Sequence, residues 1–261
     1  MFGFPAPTPY DLNFRLLGIP VRVNPFFWAL AAFLGWTGRT GLEIVIWIAC
    51  VFVSILVHEF GHGLTARSAF RQNPSVLLYY MGGLCYYDGD QRHPWRRALV
   101  LIMGPGAGFL LFGLTLALGV GVLGVGEFWP FGLIRVHDVP SWFFQLPEGI
   151  SRSILAAYSD LLLINLFWGL FNLLPIYPLD GGQLAHVFLT MRDRRKGPVI
   201  CHVLGMVTAG LLAAYLFSVH EQFNALLFMS FAFLNFQLFQ VARYQESSLS
   251  RYDEEDDWWR K

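Results

Sequence analysis

Long apolar stretches separated by short polar ones divide this chain. Leu42–Ala66, Ala98–Val125, Ile154–Leu174, Val199–Val219 and Phe223–Val241 are each long enough to cross a bilayer as a helix, which takes about 20 residues. Pro25–Trp36 is apolar but shorter, and reads as a first span that is tilted or thin. From Ile44 to Val57 no residue is charged and every helical face is apolar, so this helix lies in a buried core or in a membrane. Two stretches break the helical pattern. Phe14–Val23 reads as an extended segment entering the membrane. Val76–Tyr80 and Leu84–Tyr87 are strand-like runs around Met81-Gly82-Gly83, which predicts a β-hairpin. It is too short to span, and at membrane depth its backbone needs protein or water against it. The expected fold is therefore an all-α polytopic membrane protein of about six transmembrane helices with a small membrane-associated β-hairpin.

Breaks in the pattern place the loops. Gly104-Pro105-Gly106-Ala107-Gly108 puts small residues and a proline inside the third span, where helices can approach closely and Pro105 kinks or opens the helix. Glu127–Gly149 is a loop whose Trp129, Trp142, Phe143 and Phe144 suit a membrane interface. The fourth span runs into Asn172-Leu173-Leu174-Pro175-Ile176-Tyr177-Pro178-Leu179-Asp180-Gly181-Gly182. Its two prolines and glycine pair must break the helix before it resumes over Gln183–Met191. No internal repeat or second soluble domain is evident. Residues 1–261 are read as one membrane-embedded domain, with 1–22 as an N-terminal segment and 243–261 as a disordered charged tail.

Composition sharpens the membrane reading. The chain is 55% hydrophobic and 14% charged, with mean hydropathy +0.49. Net charge is zero, so no overall basic field favours nucleic acid. Cys50, Cys85 and Cys201 are far apart and odd in number, which fits neither a disulfide framework nor a CxxC zinc site. No secretory signal peptide is evident in Met1–Asp11. With six spans, all but Arg39, Arg135 and Arg152 of the 18 Lys and Arg fall on the side of the termini, which the positive-inside rule makes cytoplasmic.

The candidate chemistry sits in the second span. His58-Glu59-Phe60-Gly61-His62 is an HExxH motif, which chance produces in such a chain at a level on the order of 1%. On a helix, His58 and His62 share one face and can reach one Zn²⁺, with Glu59 beside the metal as a general base toward water. The alternative is a pair of hydrogen-bonded core histidines. It is disfavoured because an ionisable cluster in an apolar span is costly without a function. A catalytic zinc takes three protein ligands. Asp180, an acid beside two glycines, is the best third candidate, and an N-cap for the following helix is its structural alternative. Asp160 reads as paired with a neighbouring helix or lining a cavity, and Glu43 as interfacial. His186 lies off the Asp180 face, His202 is a further intramembrane polar group, and Cys85 reads as packing.

His58–His62 on an apolar span, followed by Asn172-x-x-Pro175-x-x-Pro178-Leu179-Asp180-Gly181-Gly182, resembles the site-2 protease family of intramembrane zinc metalloproteases. The hairpin and the Gly104-Pro105 element also fit, and the resemblance covers roughly residues 21–219. It implies that His58, His62 and Asp180 bind zinc, that Glu59 is the general base, and that Asn172 holds the substrate carbonyl or oxyanion. One position departs: where the family often has Asn, four residues after Gly104, this chain has Gly108. The chain resembles a minimal form without a PDZ-like domain.

The resulting expectation is hydrolysis of a peptide bond in or near a transmembrane segment of another membrane protein. The partners are that substrate and the lipid bilayer, and the site of action is a bacterial inner membrane with cytoplasmic termini. The competing reading is a catalytically silent membrane scaffold that binds transmembrane helices, prompted by Gly108. A metal-handling transporter is disfavoured, because no series of intramembrane ligands runs across several spans.

Overall fold

In a computed structural model, residues 6–36, 39, 41–87, 93–123, 127–129, 133–135 and 146–256 are described. Two compact units emerge: residues 1–90 with 103–170, and residues 91–102 with 171–261.

The first unit is built on a sheet. β1 (Leu12–Leu16) and β2 (Ile19–Val23) form a hairpin, β3 (Ser75–Tyr79) and β4 (Gly82–Tyr86) form another, and the strand order is β1-β2-β3-β4. The segment expected as one extended run is thus two strands. Leu17 and Gly18, at φ 49° and 79°, make the two-residue turn that matches strand twist. The expected second hairpin is present, with Tyr80-Met81 as its turn and both glycines on β4. β2 and β3 pair in parallel, with Val21 opposite Val76 and Val23 opposite Leu78. β2 alternates in burial, and Ile19, Val21 and Val23 enter a core with Val76, Leu78, Phe27, Ile55 and Phe60.

Helix α1 (Pro25–Gly35) starts where β2 ends. Asn24 caps it through Oδ1, 3.1 Å from the Phe26 amide, and Pro25 fits the first turn because its missing N–H costs nothing there. Eleven residues make a helix of about 16 Å, about half a bilayer core. α2 (Gly41–Phe70) has length to cross, as do α3 (Pro94–Leu118, continued by a π-helical turn to Leu123) and α4 (Glu148–Asn172). Pro105 sits inside α3 without ending it. α2 and α3 meet closely: a methyl on Gly61 would collide with the Met103 carbonyl, and one on Gly104 with the His62 ring. Arg39 forks onto Asp160 of α4 at 2.6 and 3.0 Å and stacks 4.3 Å from the Trp47 ring centre, so Asp160 is an ion-pair partner. Two short strands, β5 (Glu127–Trp129) and β6 (Leu133–Arg135), lie in the loop between α3 and α4. Trp142, Phe143 and Phe144 lie outside the described residues.

The second unit holds the start of α3 and the end of α4, then α5 (Asp180–Arg192), α6 (Lys196–Ser218) and α7 (Gln222–Asp256). α6 and α7 are also of membrane-crossing length, so among the described residues five helices long enough to cross accompany the short α1. α5 is too short to be a sixth. Its first turn presses on its own preceding loop: a Cβ on Gly181 would strike the Leu173 carbonyl, and one on Gly182 the Ile176–Tyr177 backbone. Asn235 of α7 pins that loop, donating to the Tyr177 carbonyl at 2.7 Å. Asp193 accepts from the Arg195 and Lys196 amides at 2.9 and 3.0 Å, and these bonds hold its carboxyl below the usual carboxylate range. α7 continues as helix to Asp256, where the sequence reading expects a disordered tail. Ala242, Arg243, Gln245 and Glu246 are good helix formers and extend the preceding turns.

Candidate metal centre

α2 carries the motif in its C-terminal half. His58, Glu59 and His62 are 2, 4 and 6% exposed. The i, i+4 spacing brings the two imidazoles together with Nε2 atoms 3.3 Å apart and rings nearly perpendicular, at 81°. An imidazole–imidazole hydrogen bond fits that distance. So does a shared zinc: ligand nitrogens 2.0–2.1 Å from a tetrahedral ion stand about 3.3–3.4 Å apart. The residues present therefore fit this metal.

Three neighbours shape the pocket, and none is a ligand type. Gly104 of α3 lies flat against His62, and Gly83 of β4 against the Glu59 carboxylate; any side chain at either would overlap these groups. Trp168 of α4 stands edge-on to His58, ring centres 6.4 Å apart, and covers Gly82, whose Cβ would fall 2.7 Å from the indole. Sequence reading assigned Gly82-Gly83 to a hairpin turn and Gly104 to close helix approach beside a kink at Pro105. The Gly-Gly and Gly-Pro signals were visible, but what presses on them was not. Trp168 gave no signal in an aromatic-rich chain.

In the second unit, Asp180 is the first residue of α5 and is buried. Leu179 occupies the cap position of α5, with no side-chain cap bond, and Asp180 follows it in the first turn. Asn172, the last residue of α4, is also buried. Among the described residues, the buried group of His, Cys, Asp and Glu able to hold a metal ion is His58, His62 and Asp180. The other polar candidates have different partners. His202 packs between Tyr177 and His186, ring centres 5.7 and 6.0 Å away. Burial, with the Arg97 charge, holds His186 below the ordinary imidazole range. Cys85 lies against Gly63, and Glu43 is half-buried near the start of α2.

An apolar span bearing paired histidines with a glutamate between them, within a set of membrane-length helices, is the arrangement of a zinc-metallopeptidase motif set in a membrane helix. The chain belongs to peptidase family M50, whose signature matches residues 46–217. Two proteins named as zinc metalloproteases, sll0528 of Synechocystis and Rip3 of Mycobacterium tuberculosis, are each 29% identical to it, over 73% and 72% of this chain. Zinc metalloprotease MJ0392 of Methanocaldococcus jannaschii is 25% identical over 69%. The chain spans less than half the length of these relatives: 47, 43 and 45%. The solved site-2 protease of Methanocaldococcus jannaschii has the same fold, with TM-score 0.57 over 88% of this chain and 95% of that one at 20% identity. The protein is thus an integral membrane protein of a zinc metalloprotease family.

Proposed function

We propose that this chain hydrolyses a peptide bond in or beside a transmembrane segment of another membrane protein, with His58, His62 and Asp180 as zinc ligands. The observation that carries the reading is the 3.3 Å separation of two buried imidazole nitrogens on an apolar span, beside a buried glutamate. Zinc held there supplies Lewis acidity toward a scissile carbonyl and lowers the pKa of water toward ~7. Glu59 takes the proton of the attacking water and delivers it to the leaving amine nitrogen. Asn172 donates through its amide to the substrate carbonyl or oxyanion.

The sheet supplies a place for the substrate backbone. A transmembrane helix shields its own peptide bonds and must unwind to be cut, and an extended segment can add to a sheet edge. β4 is such an edge. Tyr79 and Gly82 close the two-residue turn as a hydrogen-bonded pair, so alternate residues Gly83 and Cys85 turn their N–H and C=O outward. The 2.8 Å bond from the Asn24 amide to the Leu78 carbonyl agrees, since Leu78 is opposite Gly83 and points away from β4. Gly83 also touches Glu59, so a strand added here would pass the general base.

Basic residues support cytoplasmic termini, and the family resemblance supports a bacterial inner membrane. The test is purification in detergent, zinc measurement and assay against a panel of transmembrane peptides. Cleavage that tracks zinc content is expected. A fully zinc-loaded protein that cuts none of them would favour the silent scaffold.

A further inference from the structure

Among the described residues of the first unit, Asn165 Oδ1 is one of several buried side-chain polar atoms without a hydrogen-bond partner. Asn165 of α4 is 1% exposed, and its Nδ2 donates to Ser54 Oγ at 2.9 Å and to the Leu161 carbonyl at 2.8 Å. The Leu161 oxygen can only accept, which fixes the amide orientation and leaves Oδ1 as the free atom. That Oδ1 accepts no hydrogen bond among the described residues. It faces Gly108 of α3. A Cβ built on this buried glycine meets only Asn165, at an ordinary van der Waals distance of 3.8 Å from Oδ1 and from the main-chain oxygen, so a small group fits between the two. An unused acceptor in an apolar span is costly and calls for a ligand.

Its position relates it to the chemistry. Ser54, His58 and His62 follow at four-residue spacing along one face of α2. Trp168, one turn beyond Asn165 on α4, packs on His58, and Gly104, one turn before Gly108 on α3, packs on His62. The Asn165–Gly108 gap therefore lies about one helical turn along the same face from the histidine pair.

We propose that Asn165 is a substrate-binding residue: its Oδ1 accepts a hydrogen bond from a main-chain N–H of the unwound substrate, seated in the space left by Gly108. Unwinding frees peptide N–H groups that have no partner in lipid, and a fixed acceptor one turn from the histidines would select a segment already unwound there. This rests on the peptidase reading above.

The test uses the full chain with zinc bound and Glu59→Gln to prevent turnover, titrated with a fluorescent transmembrane peptide that wild type cleaves. Each backbone amide is replaced in turn by an ester, which removes the N–H. Asn165→Leu is expected to weaken binding about 3- to 10-fold at unchanged zinc content. One ester position should weaken binding to the parent by a similar factor and leave Asn165→Leu unaffected. Gly108→Leu fills the gap from the opposite helix, keeps both Asn165 bonds and should reproduce the loss, which decides the matter where Asn165→Leu fails to fold. Identical ester profiles in parent and variants would overturn the proposal, with water as the donor to Oδ1. If zinc-loaded wild type cleaves no such peptide, the peptidase reading falls and this inference with it.

Discussion

Glu59 and Asp180 are both buried acids, yet the proposed site gives them opposite tasks. Glu59 neighbours His58 in sequence and serves as base; Asp180 completes the ligand set. Glu59→Gln should keep zinc and lose about 10²–10⁴-fold in turnover. Asp180→Ala, like His58→Ala and His62→Ala, should lose zinc as well. Metal content is the discriminating measurement, since all four variants can look inactive. Zinc bound as tightly by Asp180→Ala as by wild type would remove Asp180 from the site. The glycines make a second contrast. A methyl on Gly104 overlaps the His62 ring, whereas one on Gly106 meets nothing within 4 Å. Gly104→Ala should therefore weaken zinc binding, and Gly106→Ala should match wild type in the same titration. Equal affinities would show that α3 yields and that Gly104 does not set the His62 position.

At the scale of elements, β4 carries the proposed substrate contact. Cys85→Pro deletes an N–H on the side of β4 that faces away from β3, while leaving the Leu77–Leu84 and Ser75–Tyr86 pairings to β3 in place. Zinc content should be unchanged and cleavage reduced at least several-fold, about what loss of one backbone hydrogen bond predicts. Unimpaired cleavage by this variant would exclude strand addition along β4. This hairpin was legible in the sequence because a Gly-Gly between apolar runs is a turn signal. The β1–β2 hairpin was not, since Leu17-Gly18 is a poor turn pair and its geometry is supported from afar by Arg67 of α2, which donates to the Leu17 carbonyl.

Over the whole molecule, the short α1 bears on topology. β2 leads into α1 and α2 leads out to β3, and β2 pairs with β3. The two helices therefore leave and return to one sheet, and α1 counts with α2 as an outward and return pair despite its length. Four helices of membrane-crossing length follow among the described residues, and the prediction is that both termini lie on one side. A cysteine at Ser247 should react with a membrane-impermeant thiol reagent only after the cytoplasmic side is opened. Labelling of Ser247→Cys from outside intact cells would reverse the orientation. Ser141, the second labelling position that the sequence reading suggests, lies outside the described residues.

The sequence alone determined what is local or periodic: the five long spans, the His58–His62 pair on one helical face, and the break before Asp180. Apolar runs and i, i+4 spacing act within one helix, so they need no partner to be read. Tertiary structure decided what depends on backbones meeting. It made Gly104 and Gly83 walls of the pocket, gave Asp160 to Arg39, placed the Tyr177 carbonyl under Asn235, and set Asn165 against Gly108. None of these pairs shares an element. A glycine or an asparagine is written identically whether it faces lipid or a catalytic histidine, and only the approach of another helix or strand distinguishes the two.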